Sequence, residues 1–149
     1  MTIFTLFSLL VMILCTSAMA GPEDFWKRRH TVHVINDIDD DSRPLIVHCK
    51  SGNNDLGEHS LRKGEEYIWT FHINFFGTTL FFCRFYWDNE KNRSFDSFKI
   101  QETQTCDTFE RGGHYYWAAK SDGIYFSCRG SAFAYRKRCE WDQNIECTT

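Results

Sequence analysis

The sequence predicts an all-β fold, a small secreted antiparallel β-sandwich stabilised by disulfides, and three observations carry the prediction. Short apolar runs recur with period two between turn-rich segments, and no run has a convincing helical period. The chain is 17% aromatic with only 2 prolines, a composition suited to many short strands. An uncharged apolar leader then directs an even set of cysteines to an oxidising compartment, where thiols pair.

The first strand is expected at 31–36, "TVHVIN", and the second at 44–50, which ends in His48 and Cys49. The clearest alternation is "EYIWTFHI", where Tyr67, Trp69, Phe71 and Ile73 share one face and Glu66, Ile68, Thr70 and His72 the other. "TTLFFCRFYWD" is denser, with Phe81, Cys83, Phe85 and Trp87 on one parity and Leu80, Phe82, Arg84 and Tyr86 on the other. That density predicts a central strand covered on much of both faces, with Cys83 turned inward. Further strands are expected at 95–101, 114–119, 124–128 and 132–137. Asp122 and Gly123 form a hairpin-turn pair between two aromatic runs, so 114–119 and 124–128 should pair as neighbours. The polar stretches 36–43, 50–60, 88–94 and 102–113 then become exposed loops at the sheet ends.

Residues 1–14 are uncharged and apolar, and Ala18 and Ala20 stand at the minus-three and minus-one positions of a cleavage site, so 1–20 reads as a secretory signal peptide. The mature domain is then 21–149, one domain, extracellular, without membrane insertion and expected to be a monomer. Of the 7 cysteines, Cys15 leaves with the leader, and Cys49, Cys83, Cys106, Cys128, Cys139 and Cys147 are expected in disulfides. All 17 basic and 20 acidic residues fall in the mature part. Its net charge of -3 lacks the basic excess that nucleic acid demands.

No residue set reads as catalytic, cofactor-binding or metal-ligating. Zinc is disfavoured because the chain has no C-x-x-C pair and its 6 histidines lack an H-x-x-x-H spacing. Asp37, Asp39, Asp40 and Asp41 lack the glycine and distal glutamate of a calcium loop and read as a solvated acidic run. There is no G-x-S-x-G elbow. On a strand, His48 and Cys49 point to opposite faces and cannot act as a pair. Asn92 to Ser94, "NRS", fits the N-glycosylation acceptor pattern in a polar loop.

The segments "VHVIND", "LIVHCKSGNNDLGEHSLRKGEEYIWTFHINFFGTTLFFCRFYW", "FDSFKI" and "WAAKSDGIYF", in this order, resemble the plant self-incompatibility S1 proteins, or S-protein homologues. The similarity spans nearly all of 31–141; its most specific parts are HCKS at 48–51, DLG at 55–57, T-L-F-F-C at 79–83 and W-x-x-x-x-D-G at 117–123. The resemblance implies a small secreted β-sandwich with no known catalytic activity, some of whose relatives act as stigma-secreted ligands for a receptor on pollen. The chain departs from the pattern in having Tyr115 where relatives tend to carry a cysteine two residues before the tryptophan, and in the extra Cys128 and Cys147. By resemblance and by position, Cys139 is the expected partner of Cys49 and Cys106 that of Cys83, leaving Cys128 with Cys147.

The expected function is non-enzymatic: a secreted recognition ligand acting through a cell-surface receptor protein on a neighbouring cell. The sheets serve as scaffold and the polar loops carry recognition. The loops singled out are 88–94, with Asp88, Asn89, Glu90, Lys91 and Arg93, and 102–113, with Asp107, Glu110 and Arg111; "SGNNDLG" is a third. The alternative is a carbohydrate-binding module, in which some of the many aromatic residues stack on sugar rings.

Overall fold

The computed structural model describes residues 27–89, 91–103, 106, 112–130, 134–145 and 147, so the leader and its cleavage position lie outside the described residues. The described residues form nine strands: β1 (Arg29–Asn36), β2 (Leu45–Ser51), β3 (Asp55–Leu61), β4 (Glu66–His72), β5 (Leu80–Tyr86), β6 (Asn92–Lys99), β7 (His114–Lys120), β8 (Gly123–Ser127) and β9 (Arg136–Cys139). One short helical turn, α1 (Ile100–Thr103), follows β6. The strands build two layers, a five-stranded sheet ordered β4-β1-β7-β8-β9 and a four-stranded sheet ordered β3-β2-β5-β6. Every described pairing is antiparallel except β1 with β7, which run parallel.

Period-two alternation places the core between the layers. Val32 and Val34 of β1, Val47 and Cys49 of β2, Cys83 and Phe85 of β5, and Tyr115 and Ala119 of β7 are fully buried. Trp117 joins the layers: its ring packs on Phe95 and Phe126, and its Nε1–H donates to the Ser97 carbonyl across the sandwich at 2.9 Å. Tyr115 is buried with its hydroxyl 2.9 Å from His30 Nδ1, a polar link inside the core.

Four expectations are corrected. Residues 55–61 form the edge strand β3, although they had been assigned to the loop 50–60, because only Leu61 of that strand is buried and an edge strand facing water shows almost no apolar alternation. Strand β5 lies inside its sheet but is fully covered on one face only: Phe81, Cys83 and Phe85 are buried, whereas on the other face Phe82 and Tyr86 are half-buried and Leu80 and Arg84 exposed. Asn92 opens β6, paired with Tyr86, and does not lie in a loop.

The disulfides are the fourth. All six cysteines are bonded, but as Cys49–Cys83, Cys106–Cys128 and Cys139–Cys147, not as Cys49–Cys139, Cys83–Cys106 and Cys128–Cys147. The register explains the difference. Cys49 and Cys83 stand opposite each other on adjacent strands with both side chains inward and Cα atoms 4.0 Å apart, whereas Cys139 lies in the other sheet.

The chain directions sort the connections into two ends. The described residues of 37–44, 62–65, 87–89, 91, 121–122, 140–145 and 147 gather at one, called the upper end; 51–54, 73–79, α1 and 128–130 gather at the other, the lower end.

Candidate functional site: the lower end of the sandwich

Strand β2 delivers a tight turn to the lower end. Ser51 N–H donates to the Asn54 carbonyl at 2.8 Å and its hydroxyl to Asn53 Oδ1 at 3.3 Å, and Asn53 and Asn54 are both exposed. His48 and Asp55 brace this turn, with Nε2 and Oδ1 2.7 Å apart. The Gly57 N–H first, and the His48 contact second, hold the Asp55 carboxyl below the usual carboxylate range.

Strand β4 delivers the second element, 73–79. Ile73 anchors it in the core, and Asn74 ties it into a compact loop. The Asn74 N–H donates to Thr79 Oγ1 at 2.8 Å, its side-chain amide donates to Thr78 Oγ1 at 2.7 Å, and its Oδ1 accepts from the Thr78 N–H at 2.8 Å. Gly77, at φ 66, supplies the left-handed residue that lets the loop reverse. On its tip Phe75 and Phe76 are 72% and 84% exposed, ring edge against ring face at 5.7 Å. Two adjacent large apolar side chains held in water by a locked loop are a feature that folding alone does not explain.

Between the turn and the loop lies an open recess of about 620 Å³, lined by Asn53, Asn54, Asn74, Thr78 and Thr79 at its polar margin and by Phe71, His72 and Phe81 among its other walls. Amides and hydroxyls beside aromatic rings can exchange hydrogen bonds with a polar ligand while stacking on its apolar face.

Behind the recess His30 is fully buried, stacked between Phe71 at 6.0 Å and Tyr115 at 5.9 Å. Burial, and secondarily the charge of His72, lowers its pKa to about 4, which keeps the imidazole neutral. His59 stacks on Tyr67 at 3.6 Å and donates to the Leu56 carbonyl. His48, Cys49 and His59 therefore go to three different environments and form no cluster.

The segments singled out from sequence are divided between the ends. "SGNNDLG" contributes its turn to the lower end; of 102–113 only 102–103, in α1, and 106, 112 and 113 are described, so Asp107, Glu110 and Arg111 lie outside the described residues, as does Glu90 of the other loop. The described residues of 88–94 belong to the upper end, where the side chains of Asp88, Lys91, Asn92 and Arg93 are engaged. Asp88 bonds Arg43, and Asn89 N–H donates to the Asp88 carboxylate. Lys91 lies over the Trp87 ring at 4.4 Å and donates to the Ser121 carbonyl at 3.1 Å. Arg93 is buried and donates to the Asp142 and Ile145 carbonyls, which fastens the C-terminal segment. It is a structural residue, not a surface contact. Gln143 donates to the Asn92 side-chain oxygen.

Sequence reasoning missed Phe75 and Phe76. The available signal was "NFFGTT", an aromatic pair beside a turn glycine between two strong strands, where alternation has ended and a second phenylalanine has no core to enter.

Comparisons with known proteins agree on one family. The family model described as plant self-incompatibility protein S1 matches residues 31–142. S-protein homolog 24 of Arabidopsis thaliana is 32% identical over 124 residues, covering 83% of this chain and 79% of that protein. S-protein homolog 5 of the same plant is 38% identical over 112 residues, covering 74% and 80%. A solved structure, described as of SPH (self-incompatibility protein homologue) proteins, a widespread family of small, highly stable, secreted proteins from plants, has a similar fold: TM-score 0.54 at 23% identity, covering 70% of this chain and 88% of that one.

Proposed function

We propose, from the premise that this chain belongs to the plant self-incompatibility protein S1 family, that it is a secreted, non-enzymatic recognition ligand that binds a cell-surface receptor protein through its lower end. The observation that supports this reading is the exposed Phe75–Phe76 pair on the Asn74-locked loop. Exposed aromatics on a rigid support lose little conformational freedom on binding and are the residue class that dominates protein interfaces. Secretion follows from the leader 1–20, with the mature chain starting at Gly21, and a glycan on Asn92 is part of the same reading. Asn92 is at the upper end, so that glycan leaves the lower end open.

The recess favours a second reading, a carbohydrate-binding module, because its margin is amide and hydroxyl and its neighbours are aromatic. One experiment separates the two. The purified secreted protein is titrated onto plant protoplasts with and without prior protease treatment, and in parallel onto a glycan array. The receptor reading expects saturable protoplast binding that protease removes, with no array signal. Saturable binding to a defined glycan that survives protease supports the lectin reading and overturns the first.

A further inference from the structure

The lower end carries a charge that the whole chain does not. The net charge is -3, but the run Asp37, Asp39, Asp40 and Asp41 lies at the upper end, together with Asp88. At the lower end β1 begins behind Lys27 and Arg28 with Arg29, β2 arrives with Lys50, and Arg129 follows β8. Lys27, Arg29, Lys50 and Arg129 are all exposed. The acidic residues described at this end are Asp55, whose carboxylate takes the Gly57 N–H and the His48 contact, and Glu102 in α1, while Asp96 faces Lys99 at 3.9 Å. Among the described residues the basic side outnumbers the acidic one here.

Register sets two of these cations beside the loop 73–79. Arg29 stands opposite His72, the last residue of β4 before the loop, and Ser51, next to Lys50, stands opposite Phe81, just past the loop's exit. Alternation turns Arg29 out of the five-stranded sheet and Lys50 out of the four-stranded one, because their strand neighbours His30 and Cys49 are buried. The loop joins the two layers, so the exposed Phe75–Phe76 pair is bracketed by a cation from each.

Distance decides whether the local excess matters. A strand of 7 residues such as β2 spans about 23 Å at roughly 3.3 Å per residue. That is nearly three Debye lengths of about 8 Å at physiological ionic strength. A partner at the lower end is therefore screened from the acidic upper end and meets the local positive charge instead of the negative net charge.

We propose, resting on the receptor reading above, that the receptor surface which meets the lower end is acidic: an apolar pocket for Phe75 and Phe76 rimmed by aspartate or glutamate carboxylates that face Arg29 and Lys50. The recess favours a protein over an anionic bilayer, because a hollow with an amide and hydroxyl margin is filled by a projecting side chain and left empty by a flat layer of headgroups. The roles divide accordingly. The desolvated phenylalanines set how long the complex lasts, and the cations at the rim speed the encounter and make it depend on salt.

The test follows the association of the labelled secreted protein with plant protoplasts at about 20 and about 150 mM salt, with osmolality held constant by a neutral polyol. Four proteins are compared: the native chain, Arg29→Glu with Lys50→Glu, the milder Arg29→Gln with Lys50→Gln, and an upper-end control of equal charge change, Arg62→Glu with Lys63→Glu. Thermal melts establish that each is folded. The expected result is a native association that slows severalfold from low to high salt, a charge-reversed lower end that associates at least roughly tenfold more slowly at low salt, a glutamine variant between the two, and a control within about twofold of the native chain. Saturable native association that ignores salt, or a charge-reversed lower end that associates as the native chain does, overturns the acidic partner and leaves the receptor reading standing. Absence of saturable binding by the native chain overturns both. Equal uptake by protease-treated protoplasts and by vesicles of phosphatidylserine and phosphatidylcholine replaces the acidic protein with an anionic bilayer.

Discussion

The two ends of the sandwich use their polar residues in opposite ways. At the upper end they are matched to one another. Lys63 pairs with Asp39, Lys120 with Asp37 at 3.0 Å, and Lys137 with both Asp122 and Glu140, while Arg43 holds Asp88 and buried Arg93 holds the C-terminal segment. At the lower end amides and hydroxyls tie the loop 73–79 internally, and the ordered backbone they create lifts two phenylalanines into water. A charged end whose partners are internal is a closed surface, and an end that spends its hydrogen bonds on holding apolar side chains outward is presented for contact. Acidic runs in the sequence therefore point away from the candidate site.

The largest expected effect falls on the frame common to both ends. Cys49→Ser opens a disulfide of sequence separation 34, a loss of about 4 kcal/mol in the chain-entropy account, and denaturant unfolding should show it. Next comes the upper end: Arg93→Ala strips two carbonyls of a buried charged donor and should cost about 3 kcal/mol. A loss under 1 kcal/mol would show that the C-terminal segment is not fastened by this residue.

The lower end should reveal itself through acid. His30 titrates near pH 4 when folded and near the ordinary 6.5 when unfolded. Between those values the unfolded chain binds more protons, so its contribution to stability is complete above about pH 6.5 and is lost as pH falls through about 4, by roughly 2–3 kcal/mol. His30→Gln should flatten that part of the pH–stability curve, and an equally steep curve in the variant would assign the acid sensitivity to other groups. The smallest effect is Arg43→Ala, whose pair with Asp88 is solvent-exposed and should contribute less than about 1 kcal/mol, measured in the same denaturant titrations.

What was legible in the sequence was whatever the core writes into alternation. Tyr67, Trp69, Phe71 and Ile73 announced β4, and the Asp122–Gly123 turn announced the β7–β8 hairpin that the register confirms. Edge strand β3 wrote nothing, because one buried residue in seven leaves no period to read. The disulfide pairing was hidden for a different reason: whether Cys49 meets Cys83 or Cys139 depends on which strands are neighbours, and strand order is a property of the whole sheet. The candidate site was half visible. Polar "SGNNDLG" marked one wall, but Phe75 and Phe76 drew no reading, because they fall between two strong alternations and only the folded loop shows that they are carried into water.

The measurement that tests the contrast between the ends most directly is saturable binding to plant protoplasts by two matched double variants, Phe75→Ser with Phe76→Ser at the lower end and Asp88→Ala with Asn89→Ala at the upper. Surface changes of this kind shift stability by about 0.5 kcal/mol or less, and thermal melts confirm that both variants are folded before they are compared. The account predicts that the lower-end variant loses binding at least roughly tenfold, the equivalent of about 1.4 kcal/mol, while the upper-end variant binds as the native protein does. Binding retained by the phenylalanine variant and lost by the Asp88 and Asn89 variant would contradict it and move recognition to the upper end.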